Sequence, residues 1–187
     1  MSKSDPSQGK RERKKAIRWV VTIFIVTIFV SAAITLISEE LMSNSGIVVS
    51  FVILFLIVLI GIVFDVLGVA VTSADETPFH SMAARKVPGA QEAIRLLRNA
   101  ERVSSICNDV IGDICGVVSG SASATIAAQV LLNFEFTWPK LVSLLMSALV
   151  SGLTVGGKAI GKTFAVNSST AIVHFAARII SRFRRHK

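Results

Sequence analysis

From Trp19 to Ser38 the chain carries no charged residue. A helix of about 20 apolar residues crosses the hydrocarbon core of a bilayer. Inside lipid a segment must also satisfy its own backbone hydrogen bonds, which favours a helix. Three further stretches repeat the pattern. Gly46 to Thr72 is broken only by Asp65. The run from about Ser104 to Leu132 carries Asp109 and Asp113 and is weaker by hydropathy. Leu141 to Ile160 holds one charge, Lys158. Four spans in 187 residues leave little for a soluble domain. The expected class is all-α: a polytopic helical membrane protein with four transmembrane helices, an inner juxtamembrane helical hairpin and a C-terminal interfacial helix. Composition agrees. Charged residues make up 17% of the chain, where a soluble domain carries about 25%, and the mean hydropathy is +0.65. That balance argues against a soluble enzyme, and no enzymatic activity is expected.

The first span has the basic front of a secretory signal, Lys10 to Lys15. Its apolar run is longer than a signal core and ends in no A-x-A site, so it reads as an uncleaved anchor. Basic residues mark the cytoplasmic side of a membrane protein. With the N-terminus inside, all but one of the 20 Lys and Arg fall on the inner side, and only Lys140 lies outside. The outer loops hold Glu39, Glu40 and Glu135 instead. Both termini are therefore expected in the cytoplasm. The net charge of +8 invites a nucleic-acid reading. The basic tail directly precedes a span, however, and acts there as a topology signal touching anionic lipid. Membrane lipid is the expected partner, and nucleic acid is not.

Residues 1–15 are polar, with clustered charge, and are expected to be disordered. Met42 to Gly46 is a short outer turn. Ser73 to Arg102 is the longest inner segment. Thr77 followed by Pro78 predicts a helix start, and Pro88-Gly89 breaks that helix and begins another. In the second helix Ala93, Ile94, Leu97 and Ala100 share a face, with Glu92, Arg95, Arg98 and Arg102 largely elsewhere. At the C-terminus Ile172, Phe175, Ala176, Ile179 and Phe183 follow helical spacing, with His174, Arg178, Arg182 and Arg185 opposite. Two placements fit this basic amphipathic helix: the membrane interface, or docking on the protein's own inner hairpin. The third span carries Gly112, Gly116 and Gly120, then Ala124 and Ala128. A small residue every fourth position is a helix-packing surface, within the chain or between copies. Gly152, Gly156, Gly157 and Gly161 add a second such series.

The costly residues are Asp65, Asn108, Asp109, Asp113 and Lys158, because an ionisable or amide group in a span needs a cavity or a partner. Asp109 and Asp113 are four apart and share a helix face. Carboxylates of this kind suit hard cations such as Mg²⁺. The competing reading is a charge pair in which Lys158 neutralises an aspartate and nothing is transported. Other chemistry fits poorly. Gly112-Asp113 lacks the G-x-G-D context of intramembrane aspartyl proteases, and no H-E-x-x-H is present. Cys107 and Cys115 are eight residues apart, about 12 Å along a helix, too far to bridge. His80, His174 and His186 have no ligand spacing, and there is no phosphate loop.

Three stretches together resemble the transmembrane domain of the CNNM (cyclin M)/CorB/CorC family of magnesium and cobalt transport proteins. Ser73-Ala-Asp-Glu-Thr-Pro-Phe-His-Ser81 is similar to that family's S-A-S-E-T-A-L-x-S. Ala93-Ile-Arg-Leu-Leu-Arg-Asn-Ala-Glu-Arg102 is similar to its A-L-R-L-L-x-N-P-E-R. Gly157-Lys-Ala-Ile-Gly-Lys-Thr-Phe-Ala-Val166 is similar to its G-E-I-x-P-K-T-L-A-V, with Lys162 at the motif's lysine. The resemblance covers roughly 47–184. It implies a helical membrane domain, usually dimeric, in a cell membrane of the bacterial inner type. It also implies a Mg²⁺ site among the spans. By position, Ser73, Glu76 and Gly157 match motif residues, and Asn108-Asp109 stands near the family's paired asparagines. The chain then divides into a basic tail at 1–15, an extra anchor with its outer turn at 16–45, and the family-like domain at 46–187.

The departures matter as much. Lys158 stands where the family has an acid, and a positive charge there opposes a cation. Gly161 replaces the kink proline. The paired CBS domains that bind nucleotide in the family have no counterpart here, so no nucleotide cofactor is expected. A separate soluble partner would then carry regulation. Two functions follow. One is a divalent-cation transport or sensing module that uses Ser73, Asn108, Asp109, Asp113 and Gly157. The other is a non-transporting scaffold or regulator in which Lys158 fills the ion position and pairs with Asp109 or Asp113.

Overall fold

The computed structural model describes residues 6–134 and 137–184. Among them the structure is entirely helical: α1 (Pro6–Ser43), α2 (Ile47–Ser73), α3 (Thr77–Ala84), α4 (Ala90–Arg98), α5 (Ala100–Ser105), a π-helical segment (Ile106–Gly112), α6 (Asp113–Asn133), α7 (Pro139–Asn167) and α8 (Ser169–Arg184). Four stretches are long and apolar enough to cross a membrane: Ile17–Ser43, Ile47–Ser73, Ala100–Asn133 and Pro139–Asn167. These are the four expected spans, three of them extended at their ends and the second shifted by one residue. Helix α1 begins at Pro6, so residues 6–15 continue it as helix where an unstructured tail was expected. Glu135, Arg185 and His186 lie outside the described residues.

Helix α2 is the centre of the bundle. It packs on α6, on α7, on the π segment and on the inner end of α8. Its glycines allow this. A Cβ on Gly61 would sit 2.8 Å from the Cβ of Cys115, and one on Gly68 would run into the Asn108 amide. Helix α1 lies at the edge, against α6, with only slight contact to α2. Its inner end is tied down by Arg102, whose guanidinium stands 5.7 Å from the Trp19 ring, a cation–π distance.

Two buried clusters hold the spans together. The outer one joins Met42, Leu54, Ala122, Ile126 and Val150. The inner one joins Ala70, Val71, Phe79, Ala93, Ala165, Val173 and Ala177. Small residues dominate the inner cluster, which lets the short helices lie close to α2. The inner hairpin is α3 and α4, with its break at Pro88-Gly89 as expected. Gly89 has φ +88°, a left-handed conformation that favours glycine. A Cβ there would also stand 2.9 Å from the backbone of Arg178 on α8. The helix start differs by one residue. Glu76 occupies the N-cap of α3, and the Asp75 carboxylate accepts the Thr77 N–H at 3.1 Å and the Thr77 hydroxyl at 3.0 Å.

The C-terminal helix docks on the inner hairpin and α2 by its small residues and leaves its large apolar residues uncovered. Val173 and Ala177 are fully buried, whereas Phe175, Ile179 and Phe183 are exposed. Close approach to α4 and α2 selects the small side chains and turns the aromatic ones outward. The glycine series of the third span also divides. Gly112 is buried against Asp65, but nothing lies within 4 Å of a Cβ placed on Gly116 or Gly120.

Candidate functional site

The charged residues of the spans meet where α2, the start of α6 and α7 converge. Asp65 is 2% exposed. The Lys158 ammonium lies 3.6 Å from Asp65 Oδ1 and 4.0 Å from Asp113 Oδ1. It donates a hydrogen bond to the Gly112 carbonyl at 3.0 Å. Lys162 approaches the other oxygen of Asp65, with Nζ 3.7 Å from Oδ2. Two acids and two lysines thus cancel in charge. Three helices supply them, so the cluster is a tie between spans.

Depth explains why they meet. At 1.5 Å per residue, Asp65 lies about 27 Å from the outer start of α2, and Lys158 about 28 Å from the outer start of α7. Both distances approach the thickness of a hydrocarbon core, about 30 Å. Burial there demands a partner for each charge. Asp65 takes the deepest position. Lys158 keeps 18% of its side chain exposed, Lys162 keeps 53%, and Asp113 keeps 73%. A lysine as exposed as Lys162, near the end of a span, can carry its ammonium to the polar region.

The π segment shapes the site. A wider turn of this kind occurs often at functional positions in helices. Here it presses Asn108 and Gly112 against α2. A Cβ on Gly112 would stand 2.6 Å from Asp65 Oδ1 and 3.4 Å from Lys158 Nζ. Only glycine leaves space for the pair. Asn108 donates to the Ser104 hydroxyl at 3.1 Å, while its own Oδ1 is buried without a hydrogen bond.

The predicted site residues separate into two groups. Asp113 and Lys158 come together, and Lys162 joins them through Asp65. Ser73, Asn108, Asp109 and Gly157 share no hydrogen bond or ion pair with one another among the described residues. Asp109 accepts the Ser105 hydroxyl at 2.7 Å and is exposed. Ser73 is exposed at the end of α2, and Gly157 faces Ile62 of α2. Glu76 serves the hairpin, accepting Arg98 Nε at 3.1 Å and lying 3.2 Å from His80 Nε2. Lys158 therefore pairs with Asp65 and Asp113 rather than with Asp109. Asp65 is among the costly span residues but in neither candidate site, although its depth matches that of Lys158 in the sequence. Among the described residues no group of three or more His, Cys, Asp or Glu could hold a metal ion. Both cysteines are free.

A second polar tie was not foreseen. Gln129 Nε2 on α6 donates to the Met42 carbonyl at 2.6 Å, and its Oε1 accepts the buried Ser50 hydroxyl of α2 at 3.1 Å. A lone amide in an apolar run was the only signal for it.

Fold and site together define a polytopic helical membrane protein with a charge-balanced cluster at the margin of its spans. Comparison with protein-family models, with curated proteins and with solved structures gave no match.

Proposed function

We propose that this protein is a non-transporting membrane scaffold or regulatory subunit. The observation that carries the reading is the Lys158 ammonium, 3.6 Å from Asp65 and 3.0 Å from the Gly112 carbonyl. A cation passing through would have to compete with two lysines for the carboxylate of Asp65. An ion pair fixed among three helices instead sets their register, a recognised use of buried charge. The distribution of Lys and Arg supports cytoplasmic termini, in a cell membrane of the bacterial inner type. A homodimer fits the same reading, because Gly116 and Gly120 leave one face of α6 open to the close approach of another helix.

The competing function is a Mg²⁺ or Co²⁺ transport module with Asp109 and Asp113 as ligands, the activity implied by the CNNM-like motifs. The two readings predict opposite results for the purified protein. The scaffold expects no thermal stabilisation by Mg²⁺. It expects Lys158→Ala to lower stability by about 3 kcal/mol, because Asp65 is left buried without its nearest cation. Stabilisation by Mg²⁺, together with vesicle flux that Asp109→Ala abolishes, would overturn it.

A further inference from the structure

We propose that α8 is a lipid-reading helix, with Phe175, Ile179 and Phe183 inserted into the inner leaflet and Arg178 and Arg182 on anionic headgroups. The inference rests on the membrane-spanning reading above. One face of α8 is already used. Val173 and Ala177 are fully buried in the inner cluster, and the backbone at Arg178 crosses directly over Gly89. Two residues along a helix is a turn of about 200°, so Phe175 points away from both Val173 and Ala177. Phe175 is 67% exposed, Ile179 42% and Phe183 78%. Spaced by four, they form a continuous apolar ridge that the protein does not cover.

What covers the ridge follows from its surroundings. Helix α8 begins two residues after α7 ends, and Ile160 and Phe164 near the end of α7 are also exposed. The ridge thus prolongs the lipid-facing surface of a span. Its charge is the second argument. Arg184 is held by Glu92, with Nη1 3.2 Å from Oε1. Arg178 and Arg182 border the ridge, and neither has an ion-pair partner among the described residues. A helix with aromatic insertion on one side and unpaired arginines beside it binds an anionic interface by both terms.

The test uses the full chain carrying F183W, with Trp19→Phe and Trp138→Phe to remove background fluorescence. The vesicles are phosphatidylcholine with a minority of brominated phosphatidylglycerol. Control vesicles carry the same share of brominated phosphatidylcholine. Each basic residue near an anionic surface contributes about 1 kcal/mol, which is about a fivefold local enrichment. Quenching by the anionic quencher is expected to be about fivefold stronger, and to fall towards equality when R178Q and R182Q are added. Equal quenching by both lipids would overturn the anionic recognition. Absence of quenching by either would overturn the insertion. Alkaline carbonate extraction of the same vesicles separates the two levels. A protein that stays in the pellet with F183W unquenched refutes this inference alone, whereas release into the supernatant refutes the spanning reading and this inference with it.

Discussion

The two ends of the bundle are tied by different chemistry. At the outer end a neutral amide, Gln129, bridges the last turn of α1 and the first turn of α2. At the inner end Lys158, Lys162, Asp65 and Asp113 tie α2, α6 and α7 by charge. Around the inner tie the contacts are steric: Gly61 against Cys115, and Gly157 and Gly161 against Ile62 and Val66. The outer tie uses a carbonyl that a helix C-terminus leaves without an intrahelical partner. The inner tie has no such free group on Asp65, which is buried mid-helix and requires cations. A neutral tie costs little to bury and contributes modestly. A charged tie is expensive to bury, so losing one member should hurt far more than losing the amide.

The largest effect is expected from the inner end. Asp65→Asn keeps the shape but removes the charge that both lysines share. Breaking a buried pair costs about 3–5 kcal/mol, to be read by denaturant titration of the detergent-solubilised protein. The double substitution Asp65→Leu with Lys158→Met should recover most of that loss, since apolar replacement of a whole pair is often neutral. If the double variant is no better than the single one, the cluster does more than balance charge.

Gln129→Leu tests the outer end. It removes the shortest bond to the Met42 carbonyl, which keeps the Ser45 N–H at 3.2 Å and the Ser50 hydroxyl at 3.4 Å, so the expected loss is about 1 kcal/mol in the same titration. A loss equal to that of Asp65→Asn would erase the contrast between the two ends. No loss at all would mean that water or lipid headgroups replace the amide.

What the sequence displayed follows from the strength of each constraint. The spans were legible because a bilayer tolerates few charges, and the runs after Arg18 and around Asp65 obey that rule. The hairpin was legible because Pro88-Gly89 admits little else. The nearest partner of Lys158, Asp65, was not. Pairing depends on how α2 and α7 are rotated, and several aspartates lay at compatible depth. The π segment was hidden too, since Ile106–Gly112 has no composition that separates it from ordinary helix. The face that α8 turns to the bundle was not legible, for a physical reason. Hydropathy favours Phe175 and Phe183, but close helix approach favours Ala177, and in a membrane protein the large apolar residues can face outward.

The smallest effect belongs to neither tie but to the joint between the spans and the hairpin. The backbone N–H and hydroxyl of Thr77 both donate to Asp75, and they hold its carboxyl below the usual carboxylate range. A depressed folded-state value means that the stabilisation is fully present above the ordinary value near about 4. It is lost as pH falls through the depressed value. Asp75 is exposed, so the consequence is local fraying of the first turn of α3, without global unfolding. Amide hydrogen exchange at Phe79 and His80, whose N–H groups both bond the Glu76 carbonyl, should quicken below about pH 4 after correction for intrinsic rates. Asp75→Asn keeps an acceptor oxygen but has no titrating charge, so its exchange should stay level over the same range. Asp75→Ala removes the acceptor and should exchange faster at every pH. If Asp75→Asn shows the pH dependence of the unaltered chain, the titrating group lies elsewhere.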